Sequence, residues 1–201
     1  MRYFILFAAI LFVGLNSCSK KTPCEESLVI KEGTLDAQNI YTHPLIGLEW
    51  ELPSDMQKMD LRRPQNQKSI TLKELKELGS EKNFLAYMLK GESEETLSFG
   101  FSYSETQNAE KDLGKLVAAL KKMNKQLASN VKKKPSVVIK QEKIDFAGEQ
   151  TDYMYIKTEE GTRGQILKNF GCYNFFVALD YSSKEQKEKL TKTLSLAKFT
   201  K

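Results

Sequence analysis

A thiol, an imidazole and paired carboxylates are the side chains from which hydrolytic chemistry is usually built, and this 201-residue chain is poor in them. Cys18, Cys24 and Cys172 are its only cysteines, and His43 is its only histidine. A thiol nucleophile requires Cys172 beside His43, yet Cys172 opens an aromatic strand-like run, where cysteine is usually inert core. Glu49 and Glu51 project from one side of a strand with Cα atoms about 6.6 Å apart, a spacing that superficially suits a two-carboxylate hydrolase. Alternating glutamates more often form a wet strand face, and nothing nearby supplies a sugar platform or a second base. Glycine-rich phosphate loops are absent, and no cluster of cysteines and histidines has metal-ligand spacing. The inventory predicts no enzyme, no cofactor and no metal.

Lysine carries the most suggestive surface pattern. Lys111, Lys115, Lys122 and Lys125 lie opposite an apolar row, Leu113, Leu116, Val117, Leu120, Met123 and Leu127, at helical spacing. The basic run continues through Lys132, Lys133 and Lys134. Such a stripe either meets anionic lipid headgroups, a cell-wall polymer or an acidic partner, or is simply a solvated helix face. The formal net charge of +5 is small for nucleic-acid binding, so no nucleic-acid partner is expected.

Arg2 precedes an apolar run from Tyr3 to Leu15, the layout of a secretory signal. The run is too short for a bilayer core, which needs about 20 residues. Leu15-Asn16-Ser17-Cys18 resembles the bacterial lipobox, with Asn16 departing from its usual small residue. The resemblance implies that residues 1–17 are removed and that Cys18 becomes a mature N-terminus carrying a diacylglycerol thioether and an amide-linked fatty acid such as palmitate. Two or more acyl chains anchor a protein stably where one does not. The expected location is therefore a bacterial cell envelope, lipid-anchored. Ser19, where lipoproteins of the inner membrane often carry aspartate, implies the outer membrane in a cell with two. Cys24 and Cys172 remain, an even pair in an oxidising compartment. Either they bridge, or Cys24 sits in a tether while Cys172 is buried in a strand.

These residues need elements to position them. Residues 18–38 are polar and read as a lipidated tether, in which a short strand at Ser27 to Ile30 is only weakly marked. Residues 39–201 read as one monomeric domain. Leu48, Trp50 and Leu52 alternate with Glu49 and Glu51 in a half-buried strand that Pro53 ends. Thr71 and Glu74 form a capping box before a short helix, and Ser183 and Gln186 form another before the closing one. Phe84 to Leu89 and Thr96 to Tyr103 read as a hairpin. In its second strand Leu97, Phe99, Phe101 and Tyr103 face one way, while Ser98, Gly100 and Ser102 leave a bare side for a helix to approach. After the lysine helix, residues 136–146, 150–158, 163–169 and 172–181 read as strands joined by glycine turns. The fold class predicted is α+β, an antiparallel sheet flanked by helices.

Gly47-Leu48-Glu49-Trp50-Glu51-Leu52-Pro53 is similar to the strand that opens PsbP-like domains, the Ran-binding factor, PsbP and DcrB type. Ile144 to Gly148, Phe175 to Leu179 and Leu190 to Phe199 resemble that family's later strands and closing helix. The likeness implies an α-β-α sandwich over residues 39–199 and implies no activity, because members do unrelated jobs. The function expected is a non-enzymatic envelope lipoprotein that docks onto an envelope protein. The alternatives are a carrier of a small apolar ligand held between sheet and helices, and an uncharacterised hydrolase.

Overall fold

The computed structural model describes residues 24–61, 68–78, 83–130 and 137–200, with the backbone alone for residues 123–130. The chain runs β1 (Val29–Lys31), β2 (Thr34–Leu35), β3 (Ile40–His43), β4 (Leu48–Glu51), β5 (Gln57–Lys58), β6 (Ser69–Thr71), α1 (Leu72–Leu78), β7 (Phe84–Lys90), β8 (Thr96–Tyr103), α2 (Ala109–Asn130), β9 (Val138–Phe146), β10 (Glu149–Lys157), β11 (Thr162–Asn169), β12 (Tyr173–Tyr181), α3 (Lys184–Ser195) and β13 (Ala197–Phe199).

Seven of these strands form one antiparallel sheet in the order β5-β7-β8-β12-β11-β10-β9. Alternation decides its two faces. Leu97, Phe99 and Phe101 of β8 and Phe175, Val177 and Leu179 of β12 lie buried in the larger core, while Phe176 of β12 turns to the other side. Leu113 of α2 covers that other side together with the half-buried Leu116, Val117 and Leu120, against Met154 and Leu167. From Leu113 to Leu120 the apolar row predicted for α2 is thus the face that docks, while Met123 and Leu127 fall in the part of the helix described by backbone alone; the packing falls chiefly on β11 and β10. The architecture is α+β, an antiparallel sheet flanked by helices.

The opposite face carries α1, α3 and, in addition, a second antiparallel sheet in the order β13-β4-β3-β2. Trp50 and Tyr41 bring this sheet onto the first: their rings lie 5.1 and 4.8 Å from that of Phe99. Tilted and edge-on aromatic pairs of this kind add about 0.5–1.5 kcal/mol each beyond the area they bury. Both capping boxes form. The Glu74 N–H donates to Thr71 Oγ1 at 3.2 Å while the Thr71 N–H donates to Glu74 Oε2 at 2.7 Å, and Ser183 and Gln186 exchange the same pair of bonds.

Two expectations are corrected. Residues 24–38, placed by their polarity in a tether that would leave the domain to start at residue 39, are part of the folded unit. Ile30 of β1 is fully buried and β1 pairs with β6, while the Leu72 N–H donates to the Leu28 carbonyl at 2.8 Å. The bare side of β8 also has a different cause. A Cβ on Gly100 would overlap the Phe84 carbonyl and the Ala86 nitrogen of β7, where that strand bulges between Leu85 and Tyr87. The glycine makes room for a neighbouring strand, not for a helix.

Candidate functional site

The end of the large sheet where β8 stops and β12 starts holds the most elaborate polar construction in the molecule. Cys24 is bonded to Cys172, 148 residues away, with 5.7 Å between their Cα atoms. The Gln107 amide lies over the bridge, its Nε2 3.5 Å from Cys24 Sγ. Beside it, Asp112 of α2 accepts from Ser104 Oγ at 2.6 Å, Thr106 Oγ1 at 2.8 Å and Asn174 Nδ2 at 2.9 Å. Asn169 donates to Ser104 Oγ and to Asn174 Oδ1, each at 2.9 Å, and Asn108 caps α2 by accepting the Lys111 N–H. Carboxylate hydrogen bonds are the strong ones, worth about 1.5–3 kcal/mol each. They fasten the start of α2, the β8 exit and the turn before β12 into one corner. Sequence reading did not single out Asp112, because it is an ordinary first-turn acid until the sheet brings Asn174 to it.

At the other end of the same strands lies an open groove of about 680 Å³, lined by Met88, Thr96, Ile156, Arg163, Asp180 and Tyr181 among others. Arg163 grips Asp180 with two bonds, Nε to Oδ1 at 2.5 Å and Nη2 to Oδ2 at 3.2 Å. Thr96 Oγ1 donates to the same carboxylate at 2.9 Å. The hydrogen bond from Arg163 to Asp180 raises the guanidinium's already high pKa.

The lysine stripe is only partly a free basic surface. Lys111 and Lys122 are exposed, whereas Lys115 is paired with Glu105 at 2.7 Å, a bond that raises its pKa. Lys125 falls in the part of α2 described by backbone alone, and Cys18 and Lys132 to Lys134 lie outside the described residues.

The catalytic readings lose their parts. Cys172 has no thiol to offer while it is bridged to Cys24. His43 is 1% exposed, hydrogen-bonded through Nε2 to the Lys31 carbonyl at 2.7 Å, and tilted against Phe101. Its Nδ1 lacks a hydrogen-bond partner, and burial pushes its pKa down, so the neutral ring is favoured. Glu49 and Glu51 are exposed on the outer face of β4. Among the described residues there is no group of three metal-ligating side chains and no helix long and apolar enough to cross a membrane.

No family model matches this chain, and no curated protein does. Among solved structures it is similar to the solution structure of cyanobacterial PsbP (CyanoP) from Synechocystis sp. PCC 6803. The match has 12% sequence identity and a TM-score of 0.49, and covers 89% of this chain and 98% of that one. No activity, ligand or partner is carried across from a likeness at that level.

Proposed function

We propose that this chain is a non-enzymatic, lipid-anchored protein of the bacterial cell envelope, whose α+β domain acts as a docking or accessory module for another envelope protein. The observation that favours docking over carriage of an apolar ligand is the filled interior. On the face of the large sheet that α1, α3 and the second sheet cover, Trp50, Tyr41, Phe99, Phe101, Phe146 and Phe175, all 1% exposed or less, fill the core in which a ligand held between sheet and helices would need roughly 300 Å³ or more. The anchor rests on the lipobox-like Leu15 to Cys18, and the pairing of the two remaining cysteines suits an oxidising compartment. Ser19 points to the outer membrane where there are two.

The test has two arms. Cys18→Ser should move the protein from the membrane fraction to the soluble fraction or leave an uncleaved precursor; a processed variant retained in the membrane overturns the anchor. Capture of the wild-type protein from solubilised membranes, followed by mass spectrometry, should return a stoichiometric envelope protein. Elution alone with a bound apolar small molecule overturns docking in favour of carriage.

A further inference from the structure

The position of Cys24 limits how the domain can sit on a membrane. A tether running from residue 18 to residue 38 would reach about 70 Å when extended. Cys24 is already held in the fold by the bridge to Cys172, so only five residues, six Cα-to-Cα steps, separate it from Cys18. Their reach cannot exceed about 20 Å in any conformation. The bridge is not the only restraint. Lys73 N–H donates to the Glu26 carbonyl at 3.1 Å and Leu72 N–H to that of Leu28 at 2.8 Å, so the next residues are also tied down.

Cys24 leaves the domain at one end of the large sheet. Tyr103, Asn169, Tyr173 and the Ala147-Gly148 turn lie at that end, together with the first turn of α2. Thr96, Thr162, Asp180 and Lys157 lie at the far end of the same ladders. Eight residues of strand separate the ends, about 25 Å at 3.3 Å per residue. Lys20 and Lys21 belong to this stretch of sequence, and basic residues next to a membrane favour anionic phospholipid headgroups.

Resting on the reading of Cys18 as the anchor, we propose that the domain stands end-on against the phospholipid headgroups. The Cys24–Cys172 corner faces the bilayer, and the end of the sheet that carries Thr96, Arg163 and Asp180 is held about 25 Å further out. A short leash restricts orientation as well as distance. A domain tethered within 20 Å of one end cannot bring its opposite end to the membrane as readily as that end, and this asymmetry is measurable.

The experiment uses the full lipoprotein purified from membranes and reconstituted into phosphatidylethanolamine and phosphatidylglycerol vesicles whose headgroups carry an acceptor dye. A donor dye is placed either at Glu110→Cys, in the first turn of α2, or at Glu160→Cys, in the turn between β10 and β11. Both parent side chains are exposed. Energy transfer should be several-fold greater from position 110. Inserting about 20 glycine and serine residues between Thr22 and Pro23, which adds roughly 25 Å of flexible reach, should largely erase the difference. Equal transfer from both positions in the uninserted, vesicle-bound protein overturns the end-on placement and leaves the anchor standing. A wild-type chain that fractionates as soluble overturns both.

Discussion

The indole N–H of Trp50 donates to the Thr193 carbonyl at 2.8 Å, joining the middle of β4 to the last turn of α3. One side chain therefore ties the second sheet to a helix while its ring packs on Phe99 and Phe146 of the first.

Trp50→Phe keeps most of that packing and loses the bond, so it should cost about 1 kcal/mol, while Trp50→Ala, which opens a cavity, should cost about 3–5 kcal/mol. Urea unfolding followed by circular dichroism reads both. Emission of the native tryptophan should be blue-shifted; a water-exposed spectrum contradicts the register of β4.

Lys189 bridges Glu95 and Asp55, with Nζ 2.7 Å from each carboxylate. The Glu95 side chain is 2% exposed and its Oε2 is without a hydrogen-bond partner. Burial alone pushes the Glu95 carboxyl up, but bonds from Lys189 and nearby backbone N–H groups outweigh it and the net direction is down. In the wild type this stabilisation is present above the unfolded carboxyl range and lost as pH falls through the lower folded value. Lys189→Met removes the largest of the contributions that oppose burial, so the variant loses part of the stability that the wild type has above the unfolded carboxyl range. Its deficit in the urea midpoint should be larger at pH 7 than at pH 4, by about 1–3 kcal/mol for the unpaired buried group. An equal deficit at both values shows that Lys189 acts by packing alone.

His43 gives the opposite end of the pH scale. Its folded pKa lies below the ordinary value of 6.5, so the unfolded chain takes up the proton first as pH falls and stability declines from about pH 7 downward until the folded value is reached. His43→Gln retains an N–H for the Lys31 carbonyl and has no such proton to gain. Between pH 7 and pH 5 its urea midpoint should be flatter than that of the wild type.

Cys172→Ser removes a cross-link that closes a 148-residue separation. The loss should be about 2–5 kcal/mol, read as a lower melting temperature under non-reducing conditions. Reduction of the wild type should reproduce that shift, and no shift in either case contradicts the bridge.

The exposed lysines of α2 give a charge test on a protein made soluble by Cys18→Ser. Lys111, Lys115 and Lys122 changed to Gln should leave the melting temperature nearly unchanged. If they touch anionic lipid, wild-type binding to phosphatidylglycerol vesicles should weaken as salt rises from about 0.05 to 0.5 M, which shortens the screening length from about 14 to 4 Å. The variant should bind weakly throughout; equal binding by both marks a solvated face.

Long elements were readable because period and partner are both local. The β8 and β12 rows, the two capping boxes, and Trp50, Leu190 and Leu194 in the core follow from spacing within a few residues. Short strands were not. β1 buries Ile30 through pairing with β6, some forty residues on, and three residues flanked by charge carry no periodic signal. β13 carries no periodic signal of its own, because Ala197 and Phe199 acquire a face only beside Trp50 and Leu48. The corner around Asp112 was hidden for the same reason: five polar residues from the loop after β8, α2, β11 and β12 become a network only when the sheet closes.

The order of strands also decides when the molecule can close. β12, at the middle of the large sheet, joins the β7-β8 hairpin to the β9-β10-β11 meander, and β13 completes the sheet that β3 and β4 began. A chain that ends before Cys172 lacks the strand that pairs with both β8 and β11, so in it each of those edges has no native partner. Such edges recruit other strands. Closure of both sheets therefore requires the last segments of the chain, and a truncation before β12 removes the strand that joins the two halves of the large sheet.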